Sequence, residues 1–161
     1  LSHVDLLNAG LASGAPWILV VEDDASTLDP ADCARGLRGL MDAAPESVAY
    51  VNVSESFPLD ALGIEHLLTP TDVPWAGTAN RGVLSASRPV TNTVCAILYR
   101  AQFARDLLAE FAQMPMTPVL PIDWKLNDAL MRMHADGRLG PGSCWMVSPA
   151  PIDQLSMRTT T

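Results

Sequence analysis

Residues Trp17-Ile18-Leu19-Val20-Val21 form a short apolar run rich in β-branched residues, and Glu22-Asp23-Asp24 follow it without a break. Such a run reads as a buried strand. In α/β proteins ligands gather at the carboxyl ends of the strands, which is where these three acids stand. Clustered carboxylates repel one another, and a bound cation relieves that cost. Their oxygens are the hard ligands that Mg²⁺ and Mn²⁺ prefer. The bland alternative is a solvated turn whose acids cap the next helix.

The rest of the chain alternates helices and strands, which indicates an α/β domain. Ser2 and Asp5 have capping-box spacing, starting a helix through Leu6, Leu7 and Leu11 that stops near Ser13-Gly14. A strand over 17–22 follows. Asp29 and Pro30 suit the N-cap and first position of a second helix, with Leu37, Leu40, Met41 and Ala44 on one face and Pro45 ending it. Further strands are expected over 47–53 and 93–99. The latter leads into a helix that turns Phe103, Leu107, Leu108 and Phe111 inward. A connection over 114–121, rich in Met and Pro, precedes a helix from about Asp123 to Asp136-Gly137, where glycine suits the position after the C-cap. Trp145-Met146-Val147 reads as a last strand before a polar tail from Ser148. Residues 54–90 hold four prolines and three glycines and read as one long irregular loop, with a short element around 61–68. Loops of that length are usually functional.

With 161 residues the chain has one domain's worth of sequence, 1–161, and no internal repeat. No apolar run approaches a membrane span, the longest being 15–21. No signal peptide is visible, and the chain lacks an initiator Met. The net charge is −8, with one lysine, Lys125, and nine scattered arginines. That excludes the clustered positive charge of a nucleic-acid footprint. It also means that a phosphorylated ligand would need a divalent ion for neutralisation. Cys33, Cys95 and Cys144 are odd in number and far apart, which reads as a reduced, cytoplasmic chain with incidental core cysteines.

Two families end an apolar strand in acids. Ile18 to Asp24 resembles the opening of a response-regulator receiver domain. That resemblance stops there: the segment 49–54 holds no acid to accept a phosphoryl group, and Lys125 is followed by Leu126 rather than Pro. The second resemblance covers most of the chain. Leu1-Ser2-His3, ILVVEDDA over 18–25, Ala96-Ile97-Leu98-Tyr99-Arg100 with Ala104 and Leu107-Leu108, Pro121-Ile122-Asp123-Trp124 and PAPIDQLS over 149–156 resemble, in order, segments of glycosyltransferase family 25. This is the lipooligosaccharide and collagen galactosyltransferase group. The family has a further portion before its Ser-His helix, which this sequence does not include.

The resemblance implies a GT-A-like, Rossmann-like nucleotide-diphospho-sugar transferase domain. It implies transfer of a hexose, with galactose the suggested sugar, from a UDP-sugar to a glycan or glycolipid, with inversion and help from Mn²⁺ or Mg²⁺. A glycolipid acceptor would bring the chain to a membrane surface without a transmembrane segment. The family's D-x-D element falls on Glu22-Asp23-Asp24. In an extended strand residues i and i+2 share a face, so Glu22 and Asp24 are expected to point at one ligand and Asp23 away. Asp24 is the expected direct metal ligand, with Glu22 on the metal shell or the ribose and Asp23 in support. Asp123 is the candidate general base, the alternative being a mere N-cap. Trp124 beside it is the candidate sugar-stacking surface, the alternative being a core residue. Ser2 and His3 open a helix whose N–H groups attract phosphate. Asp153 and Gln154 could complete the metal or donor shell. His66 and His134 read as structural, and Leu130, Met131 and Met133 as core packing rather than a cofactor box. A partial GT-A-like domain that binds without turning over is the alternative function.

Overall fold

The structure is a computed structural model and describes residues 2–91, 93–114 and 121–155. The chain is a mixed α/β fold. A six-stranded sheet has the order β1-β7-β3-β8-β6-β5, and a three-stranded sheet the order β2-β9-β4. The strands of the large sheet are β1 (Trp17–Val21), β3 (Tyr50–Asn52), β5 (Leu68–Pro70), β6 (Gly82–Ala86), β7 (Ala96–Arg100) and β8 (Cys144–Ser148). In this sheet β3 and β8 pair in parallel and the remaining neighbours are antiparallel. The small sheet holds β2 (Ala25–Ser26), β4 (Ser54–Glu55) and β9 (Ile152–Gln154).

Alternating side chains on β7 show how the layers are made. Ile97 and Tyr99 enter one core with Leu7, Phe103, Leu107, Leu126 and Leu130. Ala96 and Leu98 enter a second with Trp17, Leu37, Leu40, Val51 and Trp145. Period-two alternation places successive residues on opposite faces. Helices α1 (His3–Ala12), α4 (Ala101–Gln113) and α5 (Ile122–Ala135) therefore cover one face, and α2 (Pro30–Ala43) covers the other. Each large aliphatic side chain so buried contributes about 1.5–3 kcal/mol.

Helix boundaries follow local chemistry. Ser2 and Asp5 form a full capping box at α1. Asp29 accepts from the Asp32 N–H at the start of α2, with Pro30 behind it. Gly137 takes φ 80° just past α5, a conformation that suits glycine. The strand expected over 47–53 narrows to Tyr50–Asn52, and the one over 93–99 begins its ladder only at Ala96.

Two expectations are corrected. Residues 54–90 are not one irregular loop. They contain β4, a one-turn helix α3 (Leu59–Leu62), a 3₁₀ turn at Glu65–Leu67, and the hairpin β5–β6 that extends the large sheet. The polar tail after Ser148 likewise contains β9, which pairs with both β2 and β4. The strands β4, β5 and β9 are only two or three residues long, and β4, β6 and β9 have partners distant in sequence, so no local periodicity marks them. Met131 is exposed, while Leu130 and Met133 are core. The 115–120 part of the expected connection, Leu1 and Ser156 lie outside the described residues.

The segment between β5 and β6 is tied down by buried Asp32 of α2. Its carboxylate accepts from Trp75 Nε1–H (3.2 Å), Thr78 N–H, Thr78 O–H (3.0 Å) and Ala79 N–H (3.3 Å). Burial pushes this carboxyl up, but these donors outweigh it and hold it down at about 2. Trp75 lies directly on α2, where a Cβ at Gly36 would meet its ring at 1.9 Å. Arg81, at the end of the segment, donates to the carbonyls of Pro149 and Ala150, both at 2.7 Å. It thereby holds the approach to β9. No described helix is long and apolar enough to cross a membrane.

Candidate functional site

Strands β1, β3 and β8 point the same way, and the site lies at their carboxyl end. Glu22 stays in the β1–β7 ladder, its N–H donating to the Cys95 carbonyl at 2.8 Å. The chain then turns: Ala25 N–H reaches back to the Glu22 carbonyl at 3.2 Å, and Leu155 N–H bonds the Asp24 carbonyl at 2.9 Å. Glu22 and Asp24 do converge, but through this turn between two sheets, not through the pleat of an extended strand. Their carboxylates and the Cys95 thiol offer donor atoms all within 4.8 Å of one another.

The electrostatics follow from that convergence. Burial pushes the Glu22 carboxyl up, and the charges of Asp24, Asp123 and Asp23 add to it. Asp123 thus lies within electrostatic reach of Glu22 although it is about a hundred residues away in sequence. Burial, then Asp24, Glu22 and Asp153, push the Cys95 thiol up to about 12. Cys95 is therefore a protonated thiol at neutral pH, and the carboxylates are the ready cation donors. Two converging carboxylates fit a hard divalent ion such as Mn²⁺ or Mg²⁺.

Gln154, from β9, meets the cluster directly. Its Nε2–H donates to Asp24 Oδ2 at 3.2 Å, and its Oε1 accepts from Ser56 O–H at 2.5 Å and Thr93 O–H at 3.2 Å. Asp153 contributes its backbone carbonyl, 4.0 Å from the Cys95 sulfur.

No family model matches the sequence, and a search of curated proteins finds no match. What the cluster can do is therefore argued from its chemistry.

Asp123 is exposed in the first turn of α5, and the N-cap there is Pro121, so Asp123 is not the cap of this helix. Trp124 is 66% exposed, which removes the core alternative and leaves an aromatic face beside Asp123. His3 does not present itself as a cation. Burial pushes its ring down to about 4, and Nε2 lies 2.9 Å from the Tyr99 hydroxyl. Burial raises the Tyr99 phenol, and the Glu22 charge adds to it. His3 is thus a neutral partner of Tyr99. The Ser2 hydroxyl and the Asp5 carboxylate serve each other at the helix start. An anion already caps that end, which disfavours phosphate there. His66 is exposed, and His134 Nδ1 lies 2.8 Å from the Leu139 carbonyl, a local tie at the end of α5.

Sequence reasoning missed Cys95, Thr93 and Ser56. Cys95 looked like an incidental core cysteine; Cys33 and Cys144 are that, but Cys95 sits opposite Glu22 in the ladder. Only the pairing register reveals this. A cleft of about 330 Å³ opens at the opposite end of the sheet, lined by Arg100, Arg138 and Ser143 among others. It is remote from the acids. Arg100 is spent on the carbonyls of Val48, Ala44 and Pro45, and Arg138 on Glu110 and Asp136.

Proposed function

We propose that this chain is a GT-A-like glycosyltransferase domain that moves a hexose, with galactose the suggested sugar, from a UDP-sugar to a glycan or glycolipid hydroxyl. The observation that carries the reading is the convergence of Glu22 and Asp24 at the carboxyl end of β1, with Asp123 close enough to raise the Glu22 carboxyl and Trp124 exposed next to Asp123 in the chain. Asp24 and Glu22 would hold Mn²⁺ or Mg²⁺. When bound, such an ion supplies Lewis-acid neutralisation of a diphosphate leaving group.

The residues then divide the work. Asp123 is exposed and accepts the proton of the acceptor hydroxyl. The hydroxyl oxygen forms the new bond to the sugar C1 from the face opposite UDP. The C1–O bond to UDP breaks with its electron pair on the leaving phosphate, which inverts the configuration. Trp124 offers an apolar face for a sugar ring. Asp23 adds to the negative field that draws the cation.

The test is a thermal melt with UDP and Mn²⁺, singly and together. A ligand that binds only the folded chain raises the melting temperature by mass action. The reading requires a rise with both present that Asp24→Asn abolishes. A melting temperature indifferent to UDP and Mn²⁺ at millimolar concentration would sink it.

A further inference from the structure

We propose that Thr93 is a positioning residue, acting through Gln154 to fix the Asp24 carboxylate and so set the cation affinity of the site. The proposal rests on the cation reading above and names the residues that govern it.

The argument starts from the two ends of the Gln154 amide. Its Oε1 can only accept and its Nε2 can only donate. Thr93 O–H already accepts from the Cys95 N–H at 3.2 Å, and Thr93 is 8% exposed. Its own proton therefore needs a buried acceptor, and Gln154 Oε1 is there at 3.2 Å. Ser56 O–H donates to the same oxygen at 2.5 Å. Two hydroxyl donors on one side pin Oε1 there and turn Nε2–H toward Asp24 Oδ2. The flipped amide would put Oε1 against a carboxylate oxygen and leave the Thr93 proton unanswered.

Thr93 is itself fixed from behind. Its carbonyl accepts from Asn52 Nδ2 at 3.1 Å, and Asn52 Oδ1 accepts from the Ser54 N–H at 3.0 Å. Asn52 is 1% exposed and Ser54 4%. A chain of hydrogen-bonded polar groups thus runs from buried Asn52, Ser54 and Thr93 through half-buried Gln154 to Asp24. Such a network specifies one geometry, because a half-satisfied alternative is costly in a low dielectric. With Oδ2 held by Gln154, Oδ1 of Asp24 is left on the side of Cys95, 4.0 Å away, inside the cluster. A ligand held in place loses little freedom when the cation arrives, and residues that orient a ligand are typically worth about 10–100-fold in metal affinity.

The test titrates Mn²⁺ alone into the full chain by calorimetry, with a metal-free melt of each variant. Thr93→Val removes the hydroxyl and keeps the shape; Thr93→Ser keeps the hydroxyl; Gln154→Met removes the donor to Asp24. Valine and methionine are expected to weaken Mn²⁺ binding by about 10–100-fold, and serine to bind as the wild type does. A merely structural hydroxyl would lower the melting temperature and leave the Mn²⁺ affinity of the folded chain unchanged, which would overturn the proposal. Should the valine variant fail to fold, Gln154→Met decides alone, since its side chain is only half-buried. If the wild type binds Mn²⁺ and neither variant is weakened, positioning falls and the cation reading stands. If the wild type takes up no Mn²⁺, both fall.

Discussion

His3 Nε2 and the Tyr99 hydroxyl lie 2.9 Å apart, with their rings edge to face at 5.6 Å. Tyr99 also stacks on Phe103 at 6.2 Å and tilts against Tyr50 at 6.4 Å. The contact therefore joins the first turn of α1 to the aromatic centre of one core. Burial keeps the imidazole neutral.

A depressed histidine makes stability depend on pH. The folded value of about 4 lies below the ordinary 6.5. The unfolded chain therefore takes up a proton first, and the His3 contribution is fully present above about pH 6.5 and lost as pH falls toward 4. The shift corresponds to a loss on the order of 3 kcal/mol across that window. Melts at pH 7 and pH 4.5 should show a steeper fall for the wild type than for His3→Phe.

Glu22 has the opposite sign. Burial and neighbouring carboxylates raise its folded value, so its protonated form is the favoured one. Its contribution is present below the unfolded value and lost as pH rises through the folded one. Glu22→Gln should therefore raise the metal-free melting temperature at pH 7 and leave it unchanged well below pH 4.5. The same variant should weaken Mn²⁺ binding, which separates repulsion from ligation.

Asp123→Ala distinguishes chemistry from helix capping. Pro121 is the N-cap of α5, and the Asp123 carboxylate makes no cap hydrogen bond. The variant should melt within about 0.5 kcal/mol of wild type, as exposed substitutions do. In the proposed reaction it should keep UDP-sugar binding by calorimetry and lose transfer by about 10²–10⁴-fold.

Gly36→Ala tests the seat of the 71–81 segment. The new methyl would stand 1.9 Å from the Trp75 ring, so the ring or the helix must move. Overpacking of this kind costs about 1–3 kcal/mol. Hydrogen exchange should quicken at the Thr78 and Ala79 amides, which depend on Asp32 held in place below Trp75.

Much of the frame was legible because its signals are local. The capping box at Ser2 and Asp5, the Asp29-Pro30 start and the glycine after α5 each depend on neighbours within four residues. The β5–β6 hairpin was not legible, since β6 earns its place by pairing with β8, some sixty residues away. The ties of Arg81, inside the segment read as a loop, were hidden for the same reason. Its partners are the Pro149 and Ala150 carbonyls and Asp32, none of them near it in sequence.

By itself the sequence determined where the acids stand: a short continuous apolar run reads as a strand and gives way to the acids at Glu22, and the helices on either side start and stop where their caps say. Only the tertiary structure decided what those acids meet. The β1–β7 register set Cys95 opposite Glu22, the opening of α5 carried Asp123 into the same field, and β9 returned Gln154 to Asp24. Caps and periodicity act over a few residues and leave a mark in the sequence. Pairing register and electrostatic neighbourhood act across the whole chain, and they exist only once the layers have packed.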